Sequence, residues 1–172
     1  MLHWLRTHRR LATVVLALGC FLMFGYALYV QHHDGLEPCP LCIFQRVAVV
    51  SLGVVLVLAA ALPGRWRVAG NVSAVLIGVA GLAGMAVSAR HLYIQSLPPG
   101  QVPVCGATLD YMFEVFPVAD VLRKVLTGSG ECARIDWTFL GLSMPAWVLI
   151  PVSLVTVVGV VANWRQRTRV WK

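Results

Sequence analysis

The chain has 172 residues, 59% hydrophobic and only 12% charged. An ordinary soluble domain is about 25% charged, so the composition excludes a soluble globular protein and points into a bilayer. The formal net charge of +7 would suit a nucleic-acid binder, but the basic residues form short clusters at the edges of apolar runs, which is how a membrane protein sets its orientation, and no nucleic-acid partner is expected.

The first predicted span runs from Leu11 to Val30, behind a basic head holding Arg6, Arg9 and Arg10. A run of roughly 20 apolar residues crosses a hydrocarbon core of about 30 Å as a helix, the form that leaves no backbone group open to lipid. Head and core together have the look of a signal peptide, and Ala17-Leu18-Gly19-Cys20 faintly resembles a lipoprotein cleavage box. The leucine is misplaced for such a box and the apolar run continues past Cys20 to Val30, so the segment reads as a retained span. Cys20 reads as a small apolar filler in mid-membrane.

A short loop over about residues 31–42 ends in "EPCPLC", which sets Cys39 and Cys42 on either side of Pro40-Leu41. The second span, residues 43–62, carries Arg46 about one turn inside. An arginine there is expensive and by default functional; snorkelling back to the interface is the plainer alternative. Arg65 and Arg67 precede the third span, Val68 to Ala89, in which Gly78, Gly81 and Gly84 recur three residues apart. They form either a close-packing face or the ordinary glycine content of a membrane helix. Arg90 and His91 follow; His91 is an interfacial residue or, because its charge changes near neutral pH, a proton carrier.

The second loop, about residues 92–143, is long for an unstructured connection. It opens with "SLPPGQVPVC", holding Cys105, and closes with "GSGECARIDWTFLGLSMP", holding Cys132. Between them "FPVADVLRKVLTGSG" predicts a helix, with Pro117 in the first turn, Asp120 near the start, Arg123 and Lys124 near the end, and Gly128 as the stop. Val118, Val121, Leu122, Val125 and Leu126 form one apolar stripe. About ten residues cannot span, so this helix is expected to lie in the interface. The fourth span runs from Met144 to Ala162, with Arg165, Arg167, Arg169 and Lys172 behind it.

All seven acidic residues fall in the two loops. The positive-inside rule therefore predicts both termini in the cytoplasm and both loops outside. The expected fold is an all-α membrane protein: one integral-membrane domain over residues 1–172, a four-transmembrane-helix bundle with a short interfacial helix in the second exported loop.

Four loop cysteines then face an oxidising compartment, where disulfides persist. A structural bridge between Cys105 and Cys132 would restrict the unfolded chain by about 3–4 kcal/mol in the entropy account. A bridge between Cys39 and Cys42 constrains almost nothing, and Cys-x-x-Cys rings are the form used for exchange. Four thiolates could instead close a zinc site, but such sites come as two closely spaced pairs, and 26 residues separate Cys105 from Cys132. Redox chemistry ranks ahead of a metal. If the second helix starts near Cys42, Arg46 lies a turn further along the same face, and both its charge and the helix N-terminus favour a Cys42 thiolate. A thiolate and a guanidinium at the lipid boundary suit a membrane-soluble oxidant with carbonyl oxygens, such as a quinone.

"PCPLCIFQR", "SARHLYIQ", the lone Cys105 and "GECARIDWTFLGLSMPAW", in this order, resemble the DsbB family of bacterial inner-membrane disulfide bond formation proteins. The resemblance covers the four spans and both loops, and it implies a quinone reductase that reoxidises a DsbA-like periplasmic thiol oxidase. It further implies that the oxidase attacks at Cys105, that the freed Cys132 engages Cys39, and that Cys42 is left as the thiolate contacting ubiquinone, with menaquinone as the alternative. Arg46 and His91 would hold the quinone. The family of vitamin K epoxide reductase also places Cys-x-x-Cys in a four-helix bundle, but there the loop pair precedes the active pair, whereas here it follows. The middle of the second loop matches no motif of the family.

Overall fold

The computed structural model describes residues 7–35, 38–62, 67–98, 109–128, 130–135 and 137–164. Cys105, Arg6, Arg65 and the basic tail from Arg165 onward lie outside the described residues. Four long helices carry the fold: α1 (Arg9–His33), α2 (Pro40–Ala61), α3 (Arg67–Gln95) and, last in the chain, α7 (Met144–Asn163). Between α3 and α7 come three short helices, α4 (Leu109–Val115), α5 (Val118–Thr127) and α6 (Gly130–Ala133), and a two-stranded hairpin, β1 (Thr138–Phe139) with β2 (Leu142–Ser143).

All four long helices are apolar and long enough to cross a membrane. The predicted spans are all present, and the helices outrun most of their ends, the exceptions being the far end of α2, at Ala61, and the start of α7. α1 continues through the polar Gln31, His32 and His33, and α3 continues through Arg90 and His91 to Gln95. Hydropathy senses lipid, whereas the hydrogen-bond ladder runs until something breaks it. For α1 the break is Asp34, which returns its N–H to the Val30 carbonyl, followed by Gly35 at φ +64°, the left-handed exit that glycine favours. α2 starts earlier than predicted because Cys39 adopts extended backbone and Pro40 occupies the first turn, where a missing N–H costs nothing.

The bundle is a ring in which α2 packs between α1 and α3, α3 runs along α7, and α1 closes on α7. Its centre is Cys20, Leu52, Leu56, Ile77 and Val152. Cys20 is fully buried, as the filler reading expects. The outside is apolar too: Leu18, Leu58, Leu82 and Val157 are each more than half exposed. Such a surface needs lipid for its solvent.

Of the three spaced glycines, one is required by close approach. A Cβ on Gly81 would lie 2.0, 2.4 and 2.7 Å from Oγ1, Cγ2 and Cβ of Thr156 in α7, whereas one on Gly84 would meet its neighbours at 3.4 and 3.5 Å and one on Gly78 at 3.7 Å. The close-packing face is therefore real at its centre only.

At the end of the bundle away from the cysteines, Arg9 is buried. Its guanidinium donates to Asn163 Oδ1 (3.2 Å) and to the Leu62 carbonyl (2.7 Å), and Asn163 Nδ2 donates back to Thr13 Oγ1 (3.3 Å). One of the residues read as an orientation signal thus also ties together the ends of α1, α2 and α7.

Candidate active site

The site is built at the start of α2. Cys39 is its N-cap, and its sulfur accepts the Cys42 N–H at 3.3 Å. The Cys39 thiol lies 2.9 Å from the Cys42 sulfur, both as free thiols. The two-residue spacing and the first helical turn bring these sulfurs within a small side-chain rotation of bonding.

Helix α3 brings His91 to them. The ring is buried, with Nε2 3.7 Å from Cys39 Sγ and 3.1 Å from the carbonyl oxygen of Cys132. Cys132, from the second loop, is fully buried, and the ligating atoms of Cys39, His91 and Cys132 all lie within 4.8 Å of one another. Hydrogen bonds to Cys132 and Cys42, with burial behind them, push the Cys39 thiol well above the usual thiol range. Crowded sulfurs stabilise the proton they share.

A second apolar cluster holds Cys132 in place: Leu41 of α2, Ile94 of α3, Met112 of α4, and Val121 and Val125 of α5. The predicted interfacial helix is therefore present as α5, and its stripe divides. Val121 and Val125 turn inward, while Val118, Leu122 and Leu126 remain exposed, as suits a helix lying between protein and lipid headgroups. Arg90 caps its C-terminus, donating from Nε to the Leu126 carbonyl (2.9 Å) and from Nη2 to that of Thr127 (3.1 Å). Gly128 leaves at φ +87° directly over Ile94, where a Cβ would come within 2.2 Å of that side chain. Beyond α6, Leu140 and Gly141 turn the hairpin with φ of +51° and +78°, the primed geometry that matches strand twist. Trp147 Nε1 donates to the Phe139 carbonyl at 2.8 Å, and Ser143 Oγ donates to Gln95 Oε1 at 2.8 Å, tying the hairpin back to α7 and α3.

Arg46 does not join this cluster. It is half-buried and turned toward α1, where its guanidinium donates to Gln31 Oε1 and to the Ala27 carbonyl (3.1 Å). Two residues not singled out from sequence complete the cluster's polar backing. Buried Gln45 donates from Nε2 to Ser88 Oγ (2.8 Å) and places Oε1 3.4 Å from His91 Nδ1. A glutamine one turn inside an apolar span was the available signal, by the same cost argument that marks Arg46.

A family model described as disulfide bond formation protein DsbB matches residues 9–162. Curated relatives carrying the name Disulfide bond formation protein B include those of Acinetobacter baumannii, 46% identical over 84% of this chain and 85% of the relative; Hahella chejuensis, 48% over 87% and 92%; and Methylococcus capsulatus, 49% over 77% and 80%. With four membrane-crossing helices and a match spanning all of them, the chain belongs to the DsbB family of disulfide bond formation proteins and is a multi-pass bacterial membrane protein.

Proposed function

We propose that the protein is an inner-membrane dithiol:quinone oxidoreductase that reoxidises a DsbA-like periplasmic thiol oxidase. Both termini lie in the cytoplasm and both cysteine loops in the periplasm, as the distribution of Lys and Arg indicates. The observation that carries the reading is the meeting of the two loops: Cys132, far along the chain, is buried beside Cys39 at the head of the Cys-x-x-Cys helix.

In this reading the reduced oxidase attacks the Cys105–Cys132 disulfide at Cys105, and the electron pair leaves on Cys132. The Cys132 thiolate attacks Cys39 of the Cys39–Cys42 disulfide, a new bond forms between them, and Cys42 leaves as thiolate. The oxidase's second thiol then resolves the mixed disulfide and frees Cys105, which attacks Cys132 to restore the Cys105–Cys132 bond and releases Cys39. Cys39 and Cys42 are left as a reduced pair, whose disulfide would be remade by a two-electron oxidant. Each cycle makes one disulfide in the oxidase and passes on two electrons and two protons. Ubiquinone, when bound, supplies the two-electron oxidant; menaquinone is the alternative. The residues present fit such a group: Cys42 is half-buried at the head of a membrane-crossing helix, and Arg46, with two hydrogen bonds committed to α1, keeps further N–H groups for a carbonyl oxygen. His91, against Cys39 and the Cys132 carbonyl, holds or releases a proton as the sulfurs change state.

The test mixes the purified protein with a water-soluble quinone and a reduced thioredoxin-fold dithiol protein. One disulfide formed per quinone reduced is expected, with the reaction abolished by Cys42→Ala and quinone use weakened by Arg46→Ala. Full turnover by Cys42→Ala would overturn the scheme.

A further inference from the structure

We propose that the reduced protein binds zinc at Cys39, Cys132 and His91, with Cys42 closing the fourth position. The sequence allowed a zinc site only as four loop cysteines in two pairs. The folded chain offers a different set, three thiols and one imidazole, drawn from α2, α3 and α6.

One separation already fits the ion, and the others lie within a small side-chain adjustment of it. In a tetrahedral zinc site with bonds of about 2.3 Å to sulfur and about 2.0–2.1 Å to nitrogen, sulfur and nitrogen ligands stand about 3.6 Å apart and two sulfurs about 3.8 Å. Cys39 Sγ and His91 Nε2 are separated by 3.7 Å, and the three ligating atoms lie within 4.8 Å of one another. The Cys42 sulfur, 2.9 Å from that of Cys39, reaches the remaining vertex by side-chain rotation.

The histidine is also oriented for a metal. Gln45 Nε2 donates to Ser88, so its Oε1 faces His91 Nδ1 at 3.4 Å and can accept a proton held on that nitrogen. In the metal-free neutral ring Nε2 carries the proton and donates it to the Cys132 carbonyl at 3.1 Å, since a carbonyl oxygen only accepts. A metal at Nε2 would take that proton's place, with the ring proton moving to Nδ1, where Gln45 Oε1 stands ready to accept it. An outer hydrogen bond that fixes the tautomer is the common support of a zinc-bound histidine.

Binding moves no electrons. Zinc replaces the protons of Cys39, Cys42 and Cys132, three protons leave, and the site changes from neutral to one negative charge. That charge sits at the N-terminus of α2, where the helix dipole favours it. A disulfide involving any of these cysteines removes ligands, so the metal selects the reduced chain and withdraws its thiols from exchange.

The experiment uses the full chain in detergent, reduced without oxygen and titrated with Co2+ as a spectroscopic probe, then with Zn2+ in competition. One equivalent of Co2+ per reduced chain is expected, with tetrahedral and thiolate charge-transfer bands, and no such bands from the oxidised chain. Cys132→Ser should weaken binding at least about tenfold, and Gln45→Leu, which keeps every ligand, about 10–100-fold. Cys20→Ser should leave it unchanged. In the unsubstituted reduced chain Zn2+ should protect Cys39 and Cys132 from alkylation while Cys105 still reacts, a readout independent of any variant's folding. Equal uptake by the oxidised chain, undiminished binding by Cys132→Ser, or protection of Cys105 in place of Cys39 would each overturn the site.

Discussion

Replacing Gly81 by alanine tests whether α3 and α7 are held by close approach. The added Cβ would stand 2.7 Å from Thr156 Cβ and nearer still to its Oγ1 and Cγ2. Carbon atoms pack at about 3.5–4.0 Å, so rotating Thr156 cannot relieve the contact and the helices must part by roughly 1 Å. Thr156 is further fixed by its bond to the Val152 carbonyl (2.6 Å). Overpacking of this kind costs about 1–3 kcal/mol, and the geometry puts it at the upper end. Alanine's better helix propensity returns about 1 kcal/mol. The expected net loss is about 1–2 kcal/mol, measured by reversible unfolding in mixed micelles. Between membrane helices packing must do what hydrophobic burial does in water. Gly84→Ala, whose new contacts are ordinary ones, and Gly25→Ala, with nothing within 4 Å, should be neutral or stabilising. Thr156→Gly should restore most of the loss in the double variant. A Gly81→Ala protein as stable as the parent, with a Thr156 change that merely adds, would refute the reasoning.

Asn163→Leu should destabilise the bundle by about 1.5–3 kcal/mol in the same assay, since it strips a charge-assisted hydrogen bond from buried Arg9. Val121→Asp should unseat α5 and raise the alkylation rate of Cys132 in the reduced protein about tenfold, equivalent to about 1.4 kcal/mol of lost protection; an unchanged rate would mean that the second apolar cluster does not hold that cysteine. Gln31→Leu should raise the KM for quinone several-fold and leave kcat nearly unaltered, because it loosens Arg46 without touching the sulfurs; a fall in kcat alone would count against Arg46 as a binding group.

The legible parts of the molecule were those set by one-dimensional patterns. Spans follow from apolar length, and the interfacial helix follows from Pro117, Gly128 and the stripe between them. Three-dimensional coincidences were not legible. Arg9 and Arg90 look like interfacial charges, yet one clasps three helix ends and the other caps α5. Gln45 looks like a stray polar residue until Ser88 and His91 arrive from another helix. Cys39 and Cys132 are 93 positions apart, and only the packing of α5 and α6 over the head of α2 makes them neighbours. Arg46 was located correctly along the helix, but its partners on α1 depend on α1 continuing as far as Gln31, beyond the apolar run.

The length of α3 has a consequence for working height. Its 29 residues extend about 44 Å at 1.5 Å per residue, well over the roughly 30 Å of hydrocarbon. The surplus forms a rigid mast whose upper turns carry Arg90, His91 and Ile94, the three side chains on which α5 and Cys132 rest. The elevation at which the loop thiol meets Cys39 is thus set by a helix and not by the slack of the loop. Lengthening the mast by one residue below Arg90 would lift this seat about 1.5 Å and swing it through about 100°, parting the sulfurs although every one of them is still present.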